Sequence, residues 1–374
     1  LAIGLILTRL TADDRRTGVV HVMERLGWHH GLMPLKNVLV QFFGGVAALS
    51  AGLSGGREGP AIHLGAATSS ILGQALRLPN NSVRLLIACG TAAAIAGSFN
   101  TPMAGVIFAM EVIMMEYTIA GFIPVILAAV TSTVVSRFVF GDVTIFTVPS
   151  FEMASLWDLP FVVFTGLVIG ALAATFIVTV RSFAKLNHWP FWLRSVLAGT
   201  ITAGAALAAP AVMGVGYDTI NQALAGELFW PTLLIIIVGK TLASAACVGM
   251  GLPVGLIAPV LVIGAVCGGV LGHLGNFLSP AASSEALYVI LGMTAMMAAT
   301  LHAPLAALAT VLELTANPNI ILPAMLIIVI SITTSRHVFR QRSVFLTTLS
   351  TLGLKYPLDP VSQYLSRAGV ASIM

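Results

Sequence analysis

The chain has 374 residues, of which 57% are hydrophobic and only 9% are charged, and its mean hydropathy is +0.98. A soluble domain carries about 25% charged residues, so the composition excludes a soluble protein and indicates an integral membrane protein. The net charge of +4 is small, and it does not indicate a nucleic-acid-binding surface.

The first ten residues form an apolar run that ends before the charged residues Asp13 and Asp14. The run is shorter than the roughly 20 residues that cross a bilayer, and it lacks the layout of a signal peptide. We expect it to be the end of a helix whose beginning, with any earlier helices, precedes this sequence.

Residues 16–20 read Arg-Thr-Gly-Val-Val and predict another helix start. The hydroxyl of Thr17 has two possible roles there. It would either cap the helix or turn to a bound anion. We favour the cap.

Twelve apolar stretches follow along the chain, and several are too short to cross a bilayer. We therefore predict an all-α polytopic membrane protein with broken, tilted and half-spanning helices, whose irregular backbone is covered by protein or by a water-filled cavity. The stretches are 37–54, 60–76, 84–97, 102–115, 118–140, 159–180, 195–213, 229–249, 253–277, 286–301, 303–315 and 320–335.

A charged motif, Gly-Arg-Glu-Gly-Pro at residues 56–60, lies between two of these stretches. Charges at membrane depth are costly and usually mark a pathway. Pro60 suits the first residue of a helix, and the N–H groups of a helix start form an anion site. Glu58 would lie where the anion binds and would leave when protonated. For Arg57 we favour contact with a helix-end carbonyl over contact with an ion.

The motif has a partner in the second half of the chain. The pattern Gly-x3-Pro-x4-Gly-Ala of residues 56–66 recurs at 255–265, 199 residues later. A second set of residues recurs with a constant offset of 202: Gly90, Pro102 and Glu111 match Gly292, Pro304 and Glu313. Two halves with broken helix starts are typical of transporters built from inverted-topology repeats. Glu111 and Glu313 would share a structural role near a helix end.

We divide the chain at its longest polar interruption. The first repeat covers 1–140, a linker covers 141–158, and the second repeat covers 159–345; residues 346–374 form a cytoplasmic segment. Five basic residues follow the last apolar stretch and place the C-terminus in the cytoplasm by the positive-inside rule. They are Arg336, Arg340, Arg342, Lys355 and Arg367.

The remaining polar residues do not indicate catalysis or a metal site. His63 has no partner at metal spacing, so we expect a structural role for it. Cys89, Cys247 and Cys267 have no paired spacing and are expected to pack in the apolar core. Lys240, within an apolar run, would either snorkel or pair with an opposite charge. With no Gly-x-Ser-x-Gly or His-Glu-x-x-His motif, we expect neither an enzyme nor a cofactor.

The motif at 56–60 with its following Gly-Ala, together with Ser-Phe-Asn-Thr-Pro at 98–102, Gly105 and Glu111, resembles the CLC family of chloride channels and proton-coupled chloride exchangers. The resemblance covers nearly the whole chain. It implies a homodimer of inverted-repeat subunits in the lipid bilayer, each with its own anion pathway. It also implies that residues 364–374 open a cytoplasmic CBS domain.

The resemblance assigns roles to residues of this chain. Glu58 would be the external gating glutamate. The anion would bind at three helix starts, at the backbone of Thr17 and Gly18, of Glu58 and Gly59, and of Leu256 and Ile257.

Three departures from the family pattern affect the expected function. The first motif keeps only its central hydroxyl, as Thr17. The family's anion-binding tyrosine aligns with Phe345, and its inner proton-carrying glutamate aligns with Val112, which cannot carry a proton. Glu116 lies four residues further on, on the same face of a continuous helix, and is either a substitute proton carrier or an interfacial carboxylate.

Three hypotheses remain from the sequence. The leading one is uncoupled or weakly proton-coupled, channel-like chloride transport gated by Glu58. The second is a proton-coupled chloride antiporter whose inner proton path uses Glu116 or a water wire. The third, a membrane sensor that conducts no ions, is disfavoured because a charged motif at membrane depth would then have no use.

Overall fold

The computed structural model describes residues 2–141, 146, 148, 158–278 and 283–354. The predicted linker lies outside these residues except for Gly141, Phe146, Val148 and Asp158, and the expected CBS segment lies outside them entirely. The helices are α1 (Ala2–Thr8), α2 (Gly18–Trp28), α3 (Leu35–Ser50), α4 (Glu58–Ala75), α5 (Asn80–Phe99), α6 (Pro102–Phe108), α7 (Ile119–Phe140), α8 (Leu159–Ala184), α9 (Phe191–Ala208), α10 (Tyr217–Leu224), α11 (Trp230–Gly249), α12 (Ile257–Leu278), α13 (Glu285–Leu301), α14 (Pro304–Thr315), α15 (Ile321–Thr333) and α16 (Val344–Thr351).

The helices confirm an all-α membrane protein. Among the described residues, seven helical segments are long and apolar enough to cross a bilayer, and several apolar helices of 10–17 residues are too short to do so. Helix α7 is the most exposed of the long ones, with only 22% of its apolar window buried. Such an apolar surface requires a lipid or protein environment. Each predicted apolar stretch corresponds to a helix, whereas the short helices α10 and α16 were not predicted as apolar stretches.

The two repeats meet at a pair of glycines. Gly56 and Gly255 exchange two backbone hydrogen bonds, N to O, each 2.7 Å long, and form an antiparallel bridge. Gly59 packs on the same point, since a Cβ added to it would lie 2.7 Å from Gly255 Cα. The glycines of the repeated motif are therefore required for the close approach of two backbones.

A second glycine pair explains why Gly90 and Gly292 recur in the sequence. A Cβ on Gly90 would collide with the Gly65 carbonyl where α5 crosses α4, and a Cβ on Gly292 would collide with the Gly264 carbonyl where α13 crosses α12. Small residues at such crossings let membrane helices approach closely. The same crossing is built twice, once in each repeat.

The repeated glutamates cap each other's repeat. Glu111 accepts hydrogen bonds from the N–H groups of Leu305 and Ala306, at the start of α14. Glu313 accepts them from Met103 and Ala104, at the start of α6. A carboxylate at a helix start satisfies free N–H groups and the positive end of the helix dipole. The predicted shared structural role of Glu111 and Glu313 is confirmed.

The start of α4 differs from its prediction. The helix begins at Glu58 rather than at Pro60, and its first internal hydrogen bond runs from Ala61 N to Arg57 O. Proline is tolerated at any position of the first turn, because N–H groups there have no partner within the helix. The shift brings Glu58 itself into the first turn.

We predict that Gly255→Ala destabilises the protein. The new Cβ would lie 2.6 Å from Gly59 N and 2.9 Å from Gly56 O, and overpacking of this kind costs about 1–3 kcal/mol. The midpoint temperature of unfolding in detergent should fall. The matched control is Gly204→Ala in α9, where a Cβ meets nothing within 4 Å; its midpoint should stay unchanged or rise. Equal midpoints for both variants would contradict the proposed role of the close approach.

Candidate functional site

Four helix starts surround one cavity of about 260 Å³, which we call the central cavity. They belong to α2, α4, α12 and α16. The cavity brings together all the predicted anion-binding residues except Glu58; those that line it are Thr17, Gly18, Gly59, Leu256, Ile257 and Phe345.

The helix starts make the cavity suitable for an anion. The first hydrogen bonds inside α4 and α12 run from Ala61 N to Arg57 O and from Val260 N to Leu256 O. The N–H groups before them, including those of Gly59 and Ile257, therefore have no partner within their own helix. Such groups and the positive ends of the helix dipoles attract negative charge.

The start of α2 is different from the other two. The Gly18 N–H donates to Gln41 Oε1 at 2.7 Å, and Gln41 Nε2 donates to Pro253 O at 3.2 Å. The expectation that the Gly18 amide serves an anion is therefore not met in this structure, because a buried side chain already occupies it. The capping role favoured for Thr17 is also wrong, since its side chain makes no capping hydrogen bond; Thr17 lines the cavity instead.

Phe345 forms an apolar part of the cavity wall. It lies in the first turn of α16 and is 3% exposed. An aromatic ring without a hydroxyl offers no O–H donor, so the helix-start amides and Thr17 are left to supply polar contacts.

The charge around the cavity is mostly positive. Arg15, Arg16 and Arg194 line it, and the one carboxylate among the lining residues, Glu24, is ion-paired with Arg16. Arg194 also donates to Met250 O at 2.9 Å. A cavity lined by one sign of charge concentrates counter-ions.

Two buried histidines lie at the cavity wall. His21 lines the cavity; its Nδ1 is 2.8 Å from Nε2 of His63, and Arg25 Nε donates to its Nε2 at 3.0 Å. Since His21 Nε2 accepts from Arg25, its Nδ1 carries the hydrogen and donates to His63. His63 is held by this contact, and its structural role stays a prediction. No cluster of three metal-ligating side chains occurs in the described part of the chain.

The Glu58 carboxylate is buried beside the Gly56–Gly255 bridge. Glu58 is 1% exposed. Its Oε2 lies against Gly56: a Cβ added to this glycine would overlap Oε2, and the same Cβ would lie 3.2 Å from Ala258 N in the first turn of α12. Oε1 accepts a hydrogen bond from the hydroxyl of Tyr217, whereas Oε2 has no hydrogen-bond partner. The carboxylate therefore occupies a position next to the start of α12.

Glu58 lies between two cavities. Its neighbour Gly59 lines the central cavity, and its other neighbour, Arg57, lines a cavity of about 490 Å³ that also includes Asn100 and Arg137, which we call the flanking cavity. Arg57 donates to Ser98 O at 3.3 Å, near the end of α5, so the predicted contact with a helix-end carbonyl is confirmed.

A third space, the lateral cavity of about 540 Å³, adjoins Phe345 from the other side. Val112 lines it together with Glu111, Arg336, Arg340 and Arg342. Glu116 does not line it. The helix containing Val112 ends in a π-helical turn, Ala109–Met114, and Met115 is left-handed (φ 52°), so the expected shared helical face of Val112 and Glu116 does not exist and Glu116 is exposed.

Sequence reasoning missed Tyr217 and misjudged Lys240. Lys240 is fully buried, and its Nζ donates to the carbonyls of Val212 (3.1 Å) and Gly214 (2.8 Å), so it neither snorkels nor forms an ion pair in the described structure. The repeat held a usable signal: Gly216, before Tyr217, lies 198 residues after Gly18, and both glycines are left-handed at a helix start.

Comparison with known proteins shows the family of this chain. The family model for voltage gated chloride channels matches residues 1–336. The putative ClcB-like chloride channel protein of Ralstonia nicotianae is 32% identical over 343 residues, which cover 90% of this chain and 80% of that protein. The H⁺/Cl⁻ exchange transporter ClcA of Vibrio cholerae serotype O1 is 31% identical over 339 residues, covering 87% and 72%.

Solved structures share the fold. A crystal structure of a slow cyanobacterial Cl⁻/H⁺ antiporter has a TM-score of 0.82 at 23% identity and covers 94% of this chain and 85% of that one. A CLC-type fluoride/proton antiporter has a TM-score of 0.74 at 21% identity, covering 88% and 80%. The family match, the relatives and the inverted repeats agree, and the chain belongs to the CLC family, as a multi-pass integral membrane protein.

Proposed function

We propose that this protein transports chloride through a pathway gated by Glu58, without obligatory coupling to protons. The observation that carries the proposal is the position of the Glu58 carboxylate. It is a buried negative charge between the central and flanking cavities, beside the start of α12, with one oxygen unpartnered. In this position it competes with a chloride ion for the same electrostatic environment.

Protonation is the step that opens the pathway. A buried carboxylate without full hydrogen bonding is costly as an anion. When Glu58 binds a proton it loses its attraction for the helix-start amides, and chloride can take its place. Chloride then moves between the flanking cavity and the arginine-lined central cavity, so flux rises as external pH falls.

The lateral cavity supports uncoupled transport. Val112, at the place of the family's inner proton carrier, has no titratable group. The carboxylate that does line this cavity, Glu111, already accepts two hydrogen bonds from the start of α14. Arg336, Arg340 and Arg342 line the same space, and their charge opposes entry of a cation.

Proton-coupled exchange is the second candidate. The relatives from Vibrio species carry the name H⁺/Cl⁻ exchange transporter, and this name favours the alternative in which Glu116 or a water wire carries protons. We further propose a homodimer whose C-terminus is cytoplasmic, the latter supported by the basic residues that follow α15.

Substitution of Glu58 tests the gate. We expect Glu58→Gln to give chloride flux that is independent of external pH, because a neutral amide neither binds a proton nor competes with the anion. The measurement is chloride efflux from liposomes as the external pH is lowered from neutrality by about 3 pH units, a range that includes the ordinary titration range of carboxyl groups. The exposed Glu227→Gln is the matched control and should keep the wild-type profile. A Glu58→Gln variant with the wild-type pH profile would exclude the proposed gate.

Simultaneous chloride and proton fluxes test the coupling. With a chloride gradient and no imposed proton gradient, we expect chloride movement without uphill proton movement. Uphill proton movement would establish the exchanger instead. Loss of that movement in Glu116→Gln, with chloride flux retained, would then assign the inner proton path to Glu116, and its persistence would favour a water wire.

A hydroxyl restored at position 345 tests the central cavity as an anion site. We expect Phe345→Tyr to bind chloride about 5-fold more tightly, because a hydrogen bond to a charged group contributes about 1.5–3 kcal/mol before the cost of burying the hydroxyl. Isothermal titration calorimetry of the detergent-solubilised protein measures the change. Phe42→Tyr, on the exposed face of α3, should leave the affinity unchanged. Unchanged affinity in Phe345→Tyr would mean that chloride does not bind near this ring.

A further inference from the structure

Among the described residues, Tyr217 has the one side chain that donates a hydrogen bond to the Glu58 carboxylate. Tyr217 comes from α10 in the second repeat, so the contact joins the two repeats at the gate. The family resemblance assigns no role to this residue, and the charged motif at 56–60 does not require it.

The Tyr217 ring is held from several sides. Phe146 packs on it edge-on with centroids 5.6 Å apart, and Phe99 packs at 6.2 Å. The Arg57 guanidinium lies over the ring at 5.5 Å from its centroid. An aromatic ring packed in this way loses little additional freedom when its hydroxyl forms a hydrogen bond.

The backbone that carries Tyr217 is also fixed. Gly216 is left-handed (φ 88°), and a Cβ there would lie 3.0 Å from Val262 Cγ2 and 3.1 Å from Lys240 Nζ. The Lys240 ammonium holds the preceding loop through the carbonyls of Val212 and Gly214. This explains the burial of Lys240, whose side chain holds the segment before α10 and does not line the central or the flanking cavity.

The hydrogen bond from Tyr217 favours the ionised form of the Glu58 carboxylate. A phenolic O–H donates to an ionised carboxylate and stabilises the charged form. The charged and titratable groups that face the Glu58 carboxylate in the described structure are Tyr217, from α10, and Arg57, whose Nε is 4.0 Å from Oε1. From α12 it faces backbone. Arg57 is half-exposed and screened by solvent, so Tyr217 is the stronger contact.

We propose that Tyr217 is a positioning residue, a hydroxyl latch that holds ionised Glu58 in the blocking position and sets the pH at which the pathway opens. The inference rests on the proposed gating by Glu58. Without the latch, the carboxylate binds a proton at higher pH and leaves its position more readily. The latch therefore keeps the pathway closed at neutral pH.

The test compares pH profiles of chloride efflux from liposomes. We expect Tyr217→Phe to move the pH of half-maximal flux upward by about 1 unit, the change that a tenfold loss of proton competition produces. Replacement of Tyr217 by 3-fluorotyrosine, a stronger donor of nearly the same size, should move it downward. A merely structural role would not give shifts of opposite sign. Tyr288→Phe, at a fully buried tyrosine of α13 whose ring packs on Phe161, is the matched control and should leave the profile unchanged.

A double variant separates this inference from the proposed function. Glu58→Gln with Tyr217→Phe should show the same pH-independent flux as Glu58→Gln alone. A wild-type profile in Tyr217→Phe, with pH-independent flux in Glu58→Gln, would overturn the latch and leave the gate standing. A pH-dependent Glu58→Gln variant would overturn the gate and the latch together.

Discussion

The structure depends on the two backbone hydrogen bonds that Gly56 and Gly255 exchange across the repeat interface. They require two backbone segments of the chain to meet without a side chain between them, which only glycine allows. The bonds fix the start of α4 against the start of α12, so that two positive helix ends lie side by side. This arrangement is unfavourable unless negative charge lies nearby, and the Glu58 carboxylate supplies it from the first turn of α4. The contact that joins the repeats thus also creates a region of positive electrostatic potential, which either an anion or the Glu58 carboxylate can neutralise.

Three glutamate carboxylates lie next to the positive ends of helices, but they differ in how many hydrogen bonds they accept. Glu111 and Glu313 each accept two hydrogen bonds from backbone N–H groups at a helix start in the opposite repeat, so both carboxylate oxygens of each residue have a partner. Glu58 accepts one hydroxyl and keeps an oxygen unpartnered. A fully bonded carboxylate is expensive to displace, whereas a partly bonded one is not. The difference in bonding accounts for two structural glutamates and one that suits a gate, although all three carboxylates lie next to the start of a helix in the opposite repeat.

Hydrophobic patterning and the repeat predicted most of the fold, and the family resemblance named residues that the structure brings together around the central cavity. Long apolar stretches determine helices because burial and backbone satisfaction leave no alternative in a bilayer, and Gly90 and Gly292 were found because their close packing demands glycine in both halves. The short helix α10 carries no such pattern, and Tyr217 was missed with it. The end of the helix at Met114 could not be predicted either, because no Gly or Pro marks the π-helical turn in the sequence. This turn removed the basis for placing Glu116 beside Val112.

The two repeats differ in the side chains that hold the starts of their short helices, α2 and α10. Gln41 and Lys240 occupy equivalent places, 199 residues apart. Gln41 holds the first residue of α2, and Lys240 holds the segment before α10. Gln41 accepts the Gly18 amide, and the start of α2 remains at the wall of the central cavity. Lys240 binds carbonyls instead, and the start of α10 turns its first side chain, Tyr217, to Glu58. A strictly symmetric pair of repeats would present the same groups from both sides. The exchange of Gln41 for Lys240 changes which backbone groups are held: the start of α2 stays at the wall of the central cavity, and the start of α10 presents the Tyr217 hydroxyl to the Glu58 carboxylate.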